Sequence, residues 1–228
     1  VGYKDKGITL STVGFGNGNY KDTTMEQLAD QGDGNYSYID SEQQARRVFS
    51  DQVGGLLEVI ARDVKIQVDF DPAVVKEYRL IGYENRDIAD KDFRNDKVDA
   101  GEIGAGHSVT AIYDVVLTST ARSPVTVRLR HKAPLGSDKA EETVVAMAPG
   151  SIAASFEAAP ADLRFAAAVM GIGEILRHSP HARGWKLTDV ERIARGAAKD
   201  HPDQRELVDL VRRAAALSGE SAPVAVAK

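Results

Sequence analysis

In the first quarter of the chain, segments with the composition of strands alternate with segments whose hydrophobic positions have helical periodicity. Residues 8–15 and 35–39 have the apolar and aromatic content of short strands. Residues 23–30 and 41–53 repeat their apolar side chains at the spacing of an amphipathic helix. This β-α-β-α order predicts parallel strands in a sheet that helices cover. Because two strands are too few for such a sheet, we expect this segment to be the last third of a doubly wound α/β domain.

Capping residues support both of these helices. Thr23 or Thr24 is a suitable N-cap for the first helix, and Gly32 can end it. Ser41 stands three residues before Gln44, which is the spacing of a capping box, so we expect Ser41 to cap the second helix.

From residue 56 the pattern changes to alternation with period two, which is typical of strands that have one polar and one apolar face. Turn-forming pairs such as Asp71-Pro72 and Ser123-Pro124 separate these strands. Consecutive strands without helices between them predict an antiparallel β-sandwich. The expected strands are residues 64–70, 78–83, 108–116, 125–130 and 142–145.

The last third of the chain is rich in alanine and returns to helical spacing. Its apolar positions predict three helices, at residues 163–178, 189–199 and 203–217, with Thr188 capping the second. The small residues of 218–228 predict a disordered tail.

The fold class predicted is therefore an α+β multidomain chain that ends in helices. The first residue is Val1, and the residues after it lack the features of a signal peptide. We therefore expect that the chain is cut at its N-terminus and that any signal or anchor lies upstream. The predicted domains are a partial doubly wound α/β domain at residues 1–55, a β-sandwich at 56–150, a helical C-terminal region at 151–217 and the tail at 218–228.

Composition excludes several classes of function. The 228 residues carry 29 basic and 34 acidic side chains, a net charge of -5, so no overall basic field favours nucleic acid. The absence of cysteine excludes disulfides, a thiolate nucleophile and cysteine-ligated metals. No stretch approaches 18 uninterrupted apolar residues, so we expect no membrane span in this chain.

The glycine-rich stretch GFGNGNYKD at residues 14–22 follows a strand, which is where many proteins hold phosphate. Gly14 and Gly16 match the first two glycines of the dinucleotide fingerprint, but Asn19 stands where the third belongs. The chain contains no Gly-Lys pair, which a Walker loop requires. We expect a strand-to-helix turn that uses the conformational freedom of glycine.

The acidic loop at residues 90–99 invites a calcium interpretation, because hard cations prefer clustered carboxylates. The helix-loop-helix template fails at three of its positions, which are occupied by Arg94, Asn95 and Gly101. A solvated charged loop is the simpler expectation, and a calcium-stabilised structural module is the alternative.

A basic cluster lies near Trp185, the only tryptophan. Ser179-Pro180 breaks the helix that would align the two histidines of this cluster, so we do not expect a metal site. We expect a solvated positive turn, with a docking surface for an acidic partner as the functional alternative. The cluster consists of Arg177, His178, His181, Arg183 and Lys186.

Motifs for nucleophilic or metal-assisted catalysis are absent, since the chain has neither a Gly-x-Ser-x-Gly elbow nor a His-Glu-x-x-His pair. The polar candidates are Glu84, Arg86 and His107, which would form a site only if they converged in one pocket. We predict no catalytic, cofactor-binding or metal-binding residue in this chain, and no enzyme activity.

Several separate stretches resemble a known family. ITLSTVGFGNGNYKDTTMEQLADQGDGNYSYIDS and QARRVFSDQVGG are similar to the C-terminal end of a von Willebrand factor type A domain. VKIQVDFDPAVVKEYRLIGYENR, DAGEIGAGHSVTAIYDVV and DLRFAAAVMGIGEILR resemble the uncharacterised C-terminal domain that follows it in a bacterial family. The resemblance extends from residue 1 to about residue 217.

The resemblance implies a doubly wound fold that binds protein ligands through a metal-ion-dependent adhesion site. Its magnesium or other divalent cation is held by an Asp-x-Ser-x-Ser motif, a threonine and an aspartate, all of which precede the strand matched by residues 8–13. No position here inherits a ligand role, and the cation is implied for the full-length domain only. Members often begin with an export or lipoprotein signal, which implies an extracytoplasmic location.

The function predicted is a non-enzymatic protein-protein interaction or adhesion-type module with a protein partner. Two alternatives stay open. The first is an enzyme or enzyme-regulating subunit with a polar site in the sandwich, and the second is the calcium-stabilised module.

Overall fold

The computed structural model describes residues 8–16, 21–51, 58–82, 88–98, 100–135, 139–148, 150–182 and 184–220. The chain is α+β, with several antiparallel ladders and C-terminal helices. The strands are β1 (Leu10–Phe15), β2 (Asp33–Ile39), β3 (Val59–Phe70), β4 (Val75–Ile81), β5 (Ile103–Gly104), β6 (Ile112–Leu117), β7 (Val125–Lys132) and β8 (Ala140–Ala146). The α-helices are α1 (Asp22–Gln31), α2 (Glu42–Arg46), α3 (Ala161–Leu176), α4 (Leu187–Ala197) and α5 (Pro202–Leu217).

These elements form two compact units, each built from separated stretches of chain. The first unit comprises Val1–Pro72, Glu84–Thr110 and Ser123–Met147, and the second comprises Ala73–Tyr83, Ala111–Arg122 and Ala148–Lys228. The predicted domain limits at 1–55, 56–150, 151–217 and 218–228 stay a prediction.

The β-α-β-α order predicted for the start of the chain is confirmed. β1 pairs in parallel with β2, from Leu10 opposite Asp33 to Phe15 opposite Ile39. The Thr12 hydroxyl donates to the Met25 carbonyl at 2.9 Å and ties α1 to β1. Parallel strands joined by a helix are the repeating unit of sheets that helices cover.

Both helices in this segment differ in detail from the expectation. Helix α1 begins at Asp22 after Lys21, without a side-chain cap, so the prediction of Thr23 or Thr24 as N-cap is wrong. Ser41 does cap α2, since its Oγ accepts a hydrogen bond from the Gln44 N–H at 3.2 Å. The α-helix is shorter than predicted because a π-helical turn, Arg47–Asp51, follows it.

The first unit also contains a four-stranded antiparallel sheet in the order β5-β3-β7-β8. Each predicted strand from residue 64 onward overlaps an observed one, and the antiparallel pairing is confirmed. The packing of these strands as a sandwich stays a prediction.

The second unit contains the two-stranded ladder β4-β6 and the helices α3, α4 and α5. Its core joins the three helices through Ala168, Val190, Ala194 and Val211, with Trp185 packed against them. Helix α4 begins at Leu187 after Lys186, which makes no side-chain cap, so Thr188 is not the N-cap. Among the residues described, no helix combines the length and the apolar character that crossing a bilayer requires.

Candidate functional site

Two sets of side chains with opposite chemistry lie on the two faces of the sheet formed by β3, β7 and β8. The ladders align Lys65 with Arg130 and Arg130 with Glu142, so these three side chains share one face. We call this the charged face and define it by Lys65, Asp69, Arg128, Arg130, Lys132 and Glu142.

The charged face is the covered one, because the segment at residues 88–98 lies against it. Lys65 is only 4% exposed, and its Nζ donates to the Asn95 carbonyl at 2.6 Å. Arg130 Nη2 donates to Asp96 Oδ1 at 2.7 Å. Arg94 donates two hydrogen bonds to the Glu142 carboxylate, from Nε at 3.0 Å and from Nη2 at 2.8 Å. The segment is therefore held on the sheet by cations bonded to carboxylates and to a backbone carbonyl, together with the buried side chain of Phe93.

A lysine-aspartate pair lies at one end of this contact. Lys132 is 8% exposed, and its Nζ lies 2.5 Å from Asp63 Oδ2. The other carboxylate oxygen of Asp63 accepts the Ala100 N–H at 3.1 Å. Asp63 has a φ of 50°, a left-handed conformation that aspartate tolerates better than most residues. This irregularity in β3 turns the carboxylate toward Lys132.

Electrostatics reinforce this contact. The hydrogen bond from Arg94 holds the pKa of Glu142 below its usual value, and Arg130 does the same for the pKa of Asp96. Burial alone would raise the pKa of Asp63, but the bonds from Lys132 and from the Ala100 N–H outweigh it, so the pKa of Asp63 is lowered. All three carboxylates are therefore stabilised in their ionised form.

This arrangement fits a structural role better than a chemical one. Its acids are engaged by neighbouring cations, which leaves no carboxylate positioned as a free base. Within the described part of the chain, no group of three or more histidine, aspartate or glutamate side chains could hold a metal ion.

The opposite face of the same sheet is apolar and exposed. We call it the apolar face and define it by Ile66, Val68, Val127, Leu129, Thr143 and Val145, which the ladders align on one side. Ile66 and Val145 are each 60% exposed, and Val127 is 36% exposed. The usual arrangement is reversed, since Lys65 and Lys132 are covered while Ile66, Val127 and Val145 face solvent.

A second polar cluster lies within the second unit. Glu174 of α3 is buried, forms an ion pair with Arg79 Nη2 at 3.2 Å and accepts a hydrogen bond from the Ser179 hydroxyl at 2.8 Å. This ion pair joins β4 to α3. Because the Glu174 carboxylate is paired with Arg79 and bonded to Ser179, the cluster fixes packing and offers no free acid.

The ends of the glycine-rich loop at residues 14–22 are held by two tyrosines of β2. Tyr38 donates its hydroxyl to the Gly16 carbonyl at 3.1 Å, and the Tyr36 hydroxyl donates to Asp22. Gly16 has a φ of 71°, as a turn that exploits glycine requires. Residues 17–20 lie outside the described residues, so the loop between these anchors stays a prediction.

The acidic loop forms a 3-10 turn, Asp90–Asp92, followed by the buried Phe93. Its described carboxylates do not converge on one point. Asp96 binds Arg130, and Asp92 accepts from the Asn95 amide at 3.2 Å. Asp99 lies outside the described residues.

Of the polar candidates for a catalytic pocket, the structure describes only His107. His107 is exposed, and its N–H donates to the Gly104 carbonyl at the edge of the sheet. Glu84 and Arg86 lie outside the described residues, so their convergence with His107 stays a hypothesis.

The basic cluster near Trp185 lies between α3 and α4. Arg177, His178, His181 and Lys186 are exposed there, and His178 has a φ of 54° at the end of α3. Arg183 lies outside the described residues. The predicted docking of an acidic partner stays a prediction.

Sequence reasoning missed the charged face. Its signal was present as alternating cations in β7, namely Arg128, Arg130 and Lys132, together with Lys65 and Asp69 in β3. Alternation shows that a strand has two faces, but it does not show which of them another segment covers.

The fold and these surfaces define an α+β protein whose sheet exposes apolar side chains and whose described residues assemble no catalytic constellation. The sequence matches the family described as "Uncharacterized protein YfbK, C-terminal" over residues 55–125 and 119–217, and the chain belongs to that family. It is also 35% identical over 233 residues to "Uncharacterized protein YfbK" of Escherichia coli strain K12. That alignment covers 92% of this chain and 40% of the relative, so the chain spans less than half of the relative's length.

Proposed function

We propose that this chain is a non-enzymatic protein-interaction module within a larger protein, and that residues 1–55 are the end of a von Willebrand factor type A domain. The parallel pair β1-β2 with α1 and α2 supports the second part, because it is the repeating unit of such a doubly wound fold. The divalent cation and the extracytoplasmic location implied by the resemblance belong to the same proposal and concern the full-length protein.

The exposed apolar face is the observation that supports a protein-interaction function. Contiguous apolar surface rimmed by polar residues marks protein-protein contacts more often than free surface. Three strands contribute to it, so a partner would find a broad, rigid patch. Association there would remove the exposed area of Ile66, Val127 and Val145 from water, at roughly 25 cal/mol per Å².

The chemistry of the face specifies its partner. A protein element with an apolar stripe, such as an amphipathic helix or one face of a sheet, would supply the second layer that a sheet needs. Glu141 is exposed on the same side of β8 as Val145, so the partner should present a basic residue at that end.

Two adjacent valines provide a matched pair of variants. Val145 lies on the apolar face and is 60% exposed, whereas Val144 lies on the opposite side of the same strand and is 50% exposed. The full-length protein would carry a photo-cross-linking amino acid at position 127, and partners would be recovered from the source cells. We expect one cross-linked protein, at least ten-fold less of it with Val145→Lys, and an unchanged amount with Val144→Lys.

Three outcomes would overturn the proposal. They are no cross-linked protein, cross-links only within the same polypeptide, and equal loss in the two variants. The second outcome would assign the apolar face to another part of the full-length chain.

A further inference from the structure

The outer edge of β8 is a strand edge that no strand in the described part of the chain pairs with, because β8 is the last strand of its sheet. Natural sheets blunt such edges with charged side chains, especially lysine, with proline, with a bulge or with a covering loop, and the only charges of β8 are Glu141 and Glu142. β8 has the sequence AEETVVA, contains neither lysine nor proline, and pairs with β7 in regular register. Val144 and Val145 are 50% and 60% exposed, so both sides of this edge are apolar near its end.

The ladder to β7 shows which backbone groups of β8 point outward. The Met147 N–H donates to the Val125 carbonyl at 2.9 Å, so the pair 125/147 is a hydrogen-bonded one. Hydrogen-bonded pairs alternate along an antiparallel ladder, which directs the backbone groups of residues 141, 143 and 145 toward β7. The N–H and carbonyl groups of residues 140, 142, 144 and 146 therefore point outward, and no described strand pairs with them.

We propose that β8 pairs antiparallel with β8 of a second copy of this chain, about a two-fold axis at Thr143. In this register residue 142 faces residue 144 of the partner and residue 140 faces residue 146, so every outward-pointing backbone group meets another one. The two sheets become continuous. The inference goes beyond the proposed function and does not rest on it, because it uses the backbone edge rather than the apolar face.

Side-chain chemistry favours this antiparallel register over parallel pairing of two copies. Each glutamate of one strand lies opposite a valine of the other, and the two Thr143 side chains meet at the axis, a favourable cross-strand pair. Parallel pairing in register would instead place Glu141 on Glu141 and Glu142 on Glu142, and like charges directly opposite are destabilising. Arg94 already neutralises Glu142, so its carboxylate is not left unpaired beside Val144 of the partner.

The absence of cysteine makes the register directly measurable. At the axis the two Thr143 Cα atoms form a non-hydrogen-bonded pair about 4.5 Å apart, within the range that a disulfide spans. Two Glu141 Cα atoms would be about 14 Å apart, at roughly 3.4 Å per residue, which a disulfide cannot span. Thr143→Cys should therefore oxidise to a covalent dimer at least ten-fold more completely than Glu141→Cys.

A proline variant separates edge pairing from folding. The Val144 N–H points outward, so Val144→Pro blocks the edge without removing a bond to β7. Light scattering should give about twice the 24.6 kDa of a single chain for the unchanged protein and the single-chain mass for Val144→Pro, with the same circular dichroism spectrum. Val145→Lys, which tests the apolar face, should leave the dimer intact.

A monomeric unchanged protein at 100 μM, or equal cross-linking through positions 141 and 143, would overturn the inference. If Val144→Pro folds as the unchanged chain does and still dimerises, another surface makes the dimer and the inference is also wrong. Loss of partner capture in Val145→Lys with the dimer retained would support both proposals separately, and retained capture would overturn only the first.

Discussion

Two glycines of α3 should respond in opposite directions to the same substitution. Alanine in place of glycine inside a helix stabilises by roughly 1 kcal/mol, because it reduces the conformational entropy lost on folding. Gly173 has open space where a Cβ would lie. At Gly171 a Cβ would lie 2.6 Å from Trp185 Cζ3 and 3.0 Å from Val190 Cγ2, so the indole ring would have to move.

At Gly171 the steric clash with Trp185 should outweigh the gain in helix propensity, so that alanine lowers the stability of the protein. Overpacking a core costs roughly 1–3 kcal/mol, and the 2.6 Å approach to a half-buried ring indicates the upper part of that range. After the gain in helix propensity, we expect Gly171→Ala to destabilise by about 2 kcal/mol and Gly173→Ala to stabilise by about 1 kcal/mol. For a protein of this size the two melting temperatures should differ by about 9 °C, at roughly 3 °C per kcal/mol.

Trp185 is the only tryptophan, so its fluorescence reports on the second unit alone during urea or thermal unfolding. Gly171→Ala should also shift the emission of the folded state, whereas Gly173→Ala should not. The reasoning is refuted if Gly171→Ala stabilises as much as Gly173→Ala with unchanged emission, because the ring would then accommodate a methyl group without cost.

Other predictions concern the ion pairs. Asp63→Asn keeps a residue that tolerates the left-handed backbone but leaves Lys132 without its carboxylate. Chemical denaturation should show that the free energy of unfolding falls by about 2 kcal/mol. The control Glu42→Gln, in an exposed ion pair, should lower it by less than about 0.5 kcal/mol. Glu174→Ala should lower the free energy of unfolding by about 2–3 kcal/mol, because it leaves the charge of Arg79 without its carboxylate. The double variant with Arg79→Ala should lose less stability than the sum of the two single changes. The lowered pKa values of Asp63, Asp96 and Glu142 add stability only at a pH at which these carboxylates are ionised. This contribution should be present in full above about pH 4.5 and be lost as the pH drops through the lower folded-state pKa values. Acid titration followed by circular dichroism would show the loss. Millimolar calcium or EDTA should leave the melting temperature unchanged, because Asp92 and Asp96 of the acidic loop already have amide and arginine partners.

The sequence predicted where strands and helices occur because both depend on periodicity over a few neighbouring residues. Helix α3 lies within two residues of its predicted range at each end, and strand β3 ends at the predicted residue but begins five residues earlier. It failed at the helix that continues from Ser41, where a π-helical turn replaces the expected α-helix. It also missed the candidate site, since the contact between Arg94 and Glu142 joins residues 48 positions apart and no local pattern encodes it.

The composition of the segment at residues 88–98 explains why this sheet is covered on its charged side. Six of the segment's eleven residues are charged, against three large apolar ones, Ile88, Phe93 and Val98, so it cannot form a continuous apolar layer. It can instead satisfy buried lysines and arginines, which would otherwise be costly to remove from water. Had it covered the apolar face, its own charges would have been buried without partners. The segment therefore occupies the charged face of the sheet, so we assign the proposed contacts with other chains to the apolar face and to the β8 edge.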